Sequence, residues 1–98
     1  MQNNQSINLA IMGIGTIGKR HLMAIDALEN VNLCGIIDLT KVAKEFCNVK
    51  NISLFDNLNE LKNSTKVDGV IISTPTIKHH ENAISALNLG LDVLIEKP

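Results

Sequence analysis

Short apolar runs alternate along the chain with stretches in which apolar residues recur every three or four positions. Ser6 to Met12 (SINLAIM) is an apolar run ending at a glycine, the pattern of a buried strand. Thr16 to Glu29 follows, with Ile17, Ile25 and Leu28 on one helical stripe. Val31 to Ile37 (VNLCGII) predicts a second strand, closed by Asp38. Thr40 is placed to cap a helix whose Val42, Phe46 and Val49 share a face. Asn51 to Phe55 is a weaker third strand. Asn57 and Glu60 then stand in capping-box spacing beside Leu58 and Leu61, which predicts a short helix. Val67 to Ser73 (VDGVIIS) is a strongly apolar fourth strand, broken by Thr74-Pro75. Thr76 is expected to cap a helix that turns Ile77, Ala83, Ile84 and Leu87 inward and ends at Gly90. Asp92 to Ile95 makes a fifth strand ahead of Glu96-Lys97-Pro98.

Strands and helices alternating at this length imply right-handed βαβ units on a parallel sheet, an α/β fold in three αβα layers. The expected strand order is 3-2-1-4-5, a doubly wound sheet whose ligand crevice lies between strands 1 and 4, where the order reverses. Strands 1 and 4 should be central, with strand 5 and its Val93-Leu94-Ile95 run at an edge. Residues 1–98 read as one domain, and with 45% hydrophobic residues and a formal charge of -1 they carry no basic surplus for nucleic acid. Aromatic content of 2% leaves Ile, Leu, Val and Ala to build the core and provides no platform for stacking bases. The start, MQNNQSIN, lacks the basic and apolar regions of a secretory signal, and no apolar run approaches the roughly 20 residues that span a bilayer. Cys34 and Cys47 form no CxxC and read as two buried free thiols in a reducing, cytoplasmic setting.

The stretch GIGTIGKRH, Gly13 to His21, fits two phosphate-binding patterns. Gly13-x-x-x-x-Gly18-Lys19 is most of a mononucleotide P-loop, but Arg20 stands where that loop needs Ser or Thr for magnesium. Gly13-x-Gly15-x-x-Gly18 is the dinucleotide fingerprint, and it has its strand before, its helix after, and Asp38 twenty residues past Gly18. In that reading Gly13 makes the tight turn, Gly15 lets the pyrophosphate approach the backbone, and Gly18 lets the helix pack on the sheet. Ile14, Thr16 and Ile17 complete the loop. Asp38 accepts the adenosine ribose hydroxyls and would repel a 2′-phosphate, which favours NAD; Lys41 and Lys44 keep NADP open. S-adenosylmethionine methyltransferases share the glycine loop and the acid, and remain an alternative for this half of the chain. Lys19 and Arg20 read as solvated. His21 shares the stripe of Ile17 and Ile25 and reads as a packing histidine. His79 either shapes the crevice or only caps and packs. Its neighbour His80 diverges by about 100° on a helix, and no grouping has metal-ligand spacing.

The glycine loop, Asp38, TPTIKHH and the terminal EKP together resemble the Gfo/Idh/MocA family (glucose–fructose oxidoreductase, inositol dehydrogenase and relatives). The resemblance runs through essentially the whole chain. Its specific part is Thr74-Pro75, His79, Ala86-Leu87, Gly90 and Glu96-Lys97-Pro98, a spacing no methyltransferase explains. It implies a Rossmann domain in which Ser73, Thr74 and Pro75 lie beside the nicotinamide ribose. Glu96 and Lys97 would face the nicotinamide and substrate, with Lys97 catalytic. Many members have Asn after the TP pair, where this chain has Thr76. The family's second domain, with a further sheet and a histidine and acid near the substrate, is absent from these residues. The chain is therefore expected to be the cofactor half, truncated at EKP, of an NAD(P)-dependent oxidoreductase acting on a sugar, nucleotide sugar or cyclitol. By itself it should be inactive, and any homo-oligomer would form through the missing domain. The alternative is a non-catalytic NAD-binding sensor or scaffold.

Overall fold

The computed structural model describes residues 6–96, apart from the side chain of Thr76. Strands β1 (Ile7–Met12), β2 (Val31–Ile37), β3 (Leu54–Phe55), β4 (Gly69–Ile72) and β5 (Asp92–Ile95) form one sheet. Its order is β3-β2-β1-β4-β5, and every pairing is parallel. Helices α1 (Thr16–Asp26), α2 (Lys41–Lys50), α3 (Leu58–Ser64) and α4 (His79–Asn88) make the crossovers. The order and the edge position of β5 are those the alternation predicts.

Strand residues alternate between two cores, as the pleat requires. Ile11, Ile36 and Ile71 point to one face and pack under Leu22 and Ile25 of α1 and Ala43 and Cys47 of α2. Ala10, Met12, Ile37, Val70 and Ile72 point to the other, under Leu58 and Leu61 of α3 and Ala83 and Ala86 of α4. The result is the three-layer αβα arrangement.

The inward faces of the helices differ from the expectation. On α1 the buried stripe is Gly18, Leu22 and Ile25; Ile17 and Leu28 are exposed, and the helix ends at Asp26 rather than Glu29. On α2 the buried residues are Ala43 and Cys47; of the predicted face Phe46 is partly buried against the core, whereas Val42 and Val49 are exposed. On α4 they are Ala83, as predicted, and Ala86, while Ile84 and Leu87, and Ile77 in the turn before the helix, are exposed. The sheet already presents Ile and Val, so α2 and α4 approach it closely through small residues. Apolar periodicity alone weights the large side chains and rotates the helix by about one residue, or 100°.

Two caps form as the sequence indicates. The Thr40 hydroxyl accepts from the Ala43 N–H at 3.1 Å, and the Asn57 side chain accepts from the Glu60 N–H at 2.9 Å. Glu60 reaches back one residue beyond the capping box, to the Asp56 N–H at 3.2 Å. The third strand is shorter than predicted because Asn51, at φ 59°, is the left-handed C-cap of α2. The last helix begins at His79, after a 3-10 turn over Thr76–Lys78, with Lys78 at its N-cap position. The capping role expected of the Thr76 side chain lies outside the described residues. Gly90, at φ 77°, follows the helix end as expected.

Enlarging a small inward residue therefore disturbs the core more than trimming a large outward one. Ala43→Leu, at a fully buried position, is expected to cost about 1–3 kcal/mol in chemical denaturation. Val49→Ala, at a position 81% exposed, is expected to change stability by about 0.5 kcal/mol or less. The reverse order would return Val42 and Val49 to the inward face.

Candidate functional site

The C-terminal ends of β1, β2, β4 and β5 converge on one side of the sheet. The chain leaves β1 through Gly13, whose φ of 91° lies in the region that favours glycine. Its N–H is held by the Ile37 carbonyl at 2.9 Å, and its own carbonyl accepts from the Ser73 hydroxyl at 2.7 Å. A Cβ on Gly18 would lie 2.1 Å from that same carbonyl, so only glycine lets α1 start this close to the strand. Gly15 is different. A Cβ there would meet nothing within 4 Å, so the space beside it is open.

Gly15 is the N-cap of α1 and brings no side chain, and no acid stands in the first turn. The first N–H groups of the helix thus keep their affinity for an anion, reinforced by the helix dipole. A diphosphate fits this cradle, with glycine where it must pass closest.

Asp38 follows β2 directly and is tied to the loop. Its Oδ2 accepts the Ile14 N–H at 3.0 Å and its Oδ1 accepts the Thr40 N–H at 2.8 Å. Partial burial alone would raise its pKa, but hydrogen bonds from the backbone N–H groups of Ile14, Thr40 and Leu39 and from the Thr40 hydroxyl outweigh it. They hold the carboxyl below the usual aspartate value. Asp38 is thus a carboxylate of fixed direction at the rim of the loop.

On the other side of the crevice, α4 clasps the turn after β4. His79 Nε2 is 2.5 Å from the Thr74 carbonyl, which can only accept, so Nε2 carries the proton. The Asn82 amide donates to the Thr74 hydroxyl at 2.8 Å. His79 therefore shapes the crevice. Asn82 is a site residue that sequence reasoning missed, since its partner lies eight positions back across a turn.

Between these walls lies a cleft of about 1080 Å3. Of the residues singled out in the sequence, Gly13, Gly15, Ile17, Asp38, Ser73, Thr74, Pro75, His79 and Glu96 line it. Ile14, Thr16 and Gly18 do not: Ile14 sits in the core, offering its N–H to Asp38, Gly18 is buried against the loop, and Thr16 opens α1 on the exposed side. Lys97 lies outside the described residues. Leu39 lines the cleft, but Lys41 and Lys44 do not.

Three further residues behave differently from their sequence reading. His21 is no packing histidine: its Nε2 lies 2.5 Å from Glu96 Oε2. Lys19 is not simply solvated, since its ammonium sits 4.9 Å over the Phe46 ring and links α1 to α2. Cys34 is only half-buried and donates to the Leu9 carbonyl at 3.3 Å. Both cysteines are free, and burial pushes both thiols up, away from thiolate chemistry. Among the described residues no cluster of His, Cys, Asp and Glu could hold a metal, and no helix is long and apolar enough to cross a membrane.

Residues 7–98 match the family model described as an oxidoreductase family with an NAD-binding Rossmann fold. The chain is 32% identical over 91 residues to a glucose-6-phosphate 3-dehydrogenase of Bacillus subtilis, covering 92% of this chain and 25% of that protein. It is 33% identical over 94 residues to an NADP(+) scyllo-inositol 2-dehydrogenase of the same organism, covering 94% of this chain and 29% of the relative. A solved NAD-binding protein from Listeria innocua superposes with a TM-score of 0.87 at 33% identity, over 96% of this chain and 28% of that one. The chain thus spans between a quarter and a third of the length of these relatives.

The two inner glycines should separate folding from binding. Gly18→Ala is expected to destabilise the loop and α1 by about 1–3 kcal/mol, whereas Gly15→Ala should keep its melting temperature and lose dinucleotide affinity in a fluorescence titration. Equal melting losses in both variants would contradict the open cradle. Asp38 gives a pH signature. Its folded pKa lies below the ordinary value, so its stabilisation is complete at neutral pH. It declines as pH falls through the ordinary value and is gone below the lowered one. Asp38→Asn should flatten this acid decline in melting temperature; an unchanged slope would remove Asp38 as its source.

Proposed function

The chain belongs to the Gfo/Idh/MocA oxidoreductase family, and on that premise we propose that it is the cofactor-binding half of an NAD-dependent dehydrogenase of sugars or cyclitols. The observation that carries this is Asp38, a carboxylate held by the Ile14 N–H beside an open glycine cradle. Such a carboxylate accepts two vicinal ribose hydroxyls and repels a 2′-phosphate. NAD is preferred over NADP on this ground, supported by the absence of Lys41 and Lys44 from the cleft lining.

The bound dinucleotide would supply hydride acceptance and donation. The chain's own residues bind and orient it. Gly13, Gly15 and the first turn of α1, with Thr16 and Ile17, hold the pyrophosphate, Asp38 the adenosine ribose, and Ser73, Thr74 and Pro75 the nicotinamide ribose. His79 and Asn82 keep the Thr74 turn in place. Lys97 donates a hydrogen bond to the reacting substrate oxygen, stabilising charge that develops there during hydride transfer. The substrate class follows the two bacterial relatives, one a sugar-phosphate dehydrogenase and one a cyclitol dehydrogenase. Both are several times longer, so the substrate pocket is assigned to a second domain outside these 98 residues. That domain would also set any oligomeric state, and the half without it would be inactive. The cytoplasm is the compartment that two free thiols and a soluble dinucleotide fit.

Titration with NADH and NADPH tests the cofactor. NADH should bind more tightly, and Asp38→Ala should weaken NADH more than NADPH; tighter NADPH binding by the unaltered chain would reverse the preference. For catalysis, the full-length protein is assayed on a panel of sugars, sugar phosphates and cyclitols. Lys97→Ala should lower kcat by about 100-fold or more while sparing NADH affinity. Binding without turnover of any panel member, and no effect of Lys97→Ala, would favour the sensor reading.

A further inference from the structure

Glu96 closes the nicotinamide end of the cleft, yet it stands at the tip of an edge strand. Among the described residues β5 pairs only with β4, and Leu94 and Ile95 are 53% and 44% exposed. Two ties hold its end. The Glu96 N–H continues the ladder to the Ile72 carbonyl at 2.9 Å. Its carboxylate meets His21 Nε2 across 75 positions of sequence, at 2.5 Å. The carboxylate accepts, so His21 donates from Nε2. Among the described residues this is the only ion pair, and its two side chains are only 22% and 33% exposed.

His21 lies one turn beyond Ile17 on α1, the helix whose first turn forms the phosphate cradle. The end of β5 is therefore referenced to the same helix that fixes the middle of the cleft. Without the side-chain tie, the last residue of an edge strand would rest on a single ladder bond, and such ends fray first.

We propose that His21 is a positioning residue, which latches Glu96 to α1 and so holds the nicotinamide end of the cleft in register with the pyrophosphate cradle. The inference rests on the dinucleotide reading above. It assigns His21 no contact with cofactor or substrate. What it predicts is selective: the adenosine and pyrophosphate contacts survive loss of the latch, while the nicotinamide end loosens.

The test compares the affinities of the full chain for NADH and for ADP-ribose, which lacks only the nicotinamide. His21→Ala is expected to weaken NADH by about tenfold or more, the worth of one hydrogen bond to a charged group, and to leave ADP-ribose within about twofold. His21→Gln, whose amide nitrogen reaches a position close to Nε2, should restore most of the NADH affinity. Glu96→Ala should reproduce the His21→Ala effect, and the double variant should add little to either single one. An NADH affinity unchanged in His21→Ala, or losses that add in the double variant, would overturn the latch. Equal loss of both ligands with no rescue by Gln would overturn it too, leaving His21 a structural residue of α1. Failure of the unaltered chain to bind either ligand would instead overturn the dinucleotide reading, and the latch with it.

Discussion

The approach of α1 to the end of β1 is the constraint on which the rest of the cleft depends. A hydrogen at Gly18 fits where a methyl group would stand 2.1 Å from the Gly13 carbonyl. That carbonyl also receives the Ser73 hydroxyl from the end of β4. Three segments thus meet at one backbone oxygen. If the helix stood farther out, its free N–H groups would no longer start beside the Gly13 turn.

From that contact the site spreads in two directions, and both are tied back to the β1–α1 unit. Towards the end of β2, the Ile14 N–H holds Asp38. Towards the other end, His21 holds Glu96. The two acids stand at the ends of different strands, yet the same loop and helix orient both. The wall formed by Thr74 is held separately, through His79 and Asn82 from α4. One wall therefore belongs to each side of the sheet, a natural consequence of a crevice at the switch point of a doubly wound fold.

The electrostatics of the cleft are local. The chain carries a formal charge of -1, so its field as a whole attracts no nucleotide. The unpaired start of α1 presents N–H groups that favour an anion, and beside it Asp38 is a carboxylate kept ionised by N–H groups. Lys19, the cation nearest the loop in sequence, lies instead over Phe46, so at the loop the positive potential comes from the helix start, while Lys78 lines the opposite wall of the cleft.

Much of this was legible in the sequence because the relevant relations are short-range or periodic. The alternation of apolar runs and helical stripes predicted the strand order, and the spacing of Gly13, Gly15, Gly18 and Asp38 predicted a loop, a helix start and an acid at its rim. The Thr40 and Asn57 caps depend on residues three apart and were equally readable. The inward faces of α1, α2 and α4 were not, because sequence periodicity ranks large apolar residues inward. Close packing on an Ile- and Val-rich sheet selected Ala43, Cys47 and Ala86 instead, and kept Ile25 and Ala83 of the predicted stripes. Nor could the sequence pair His21 with Glu96 or Asn82 with Thr74. Those contacts exist only once parallel crossovers have brought helix and strand ends to one side of the sheet, and no local spacing encodes that meeting.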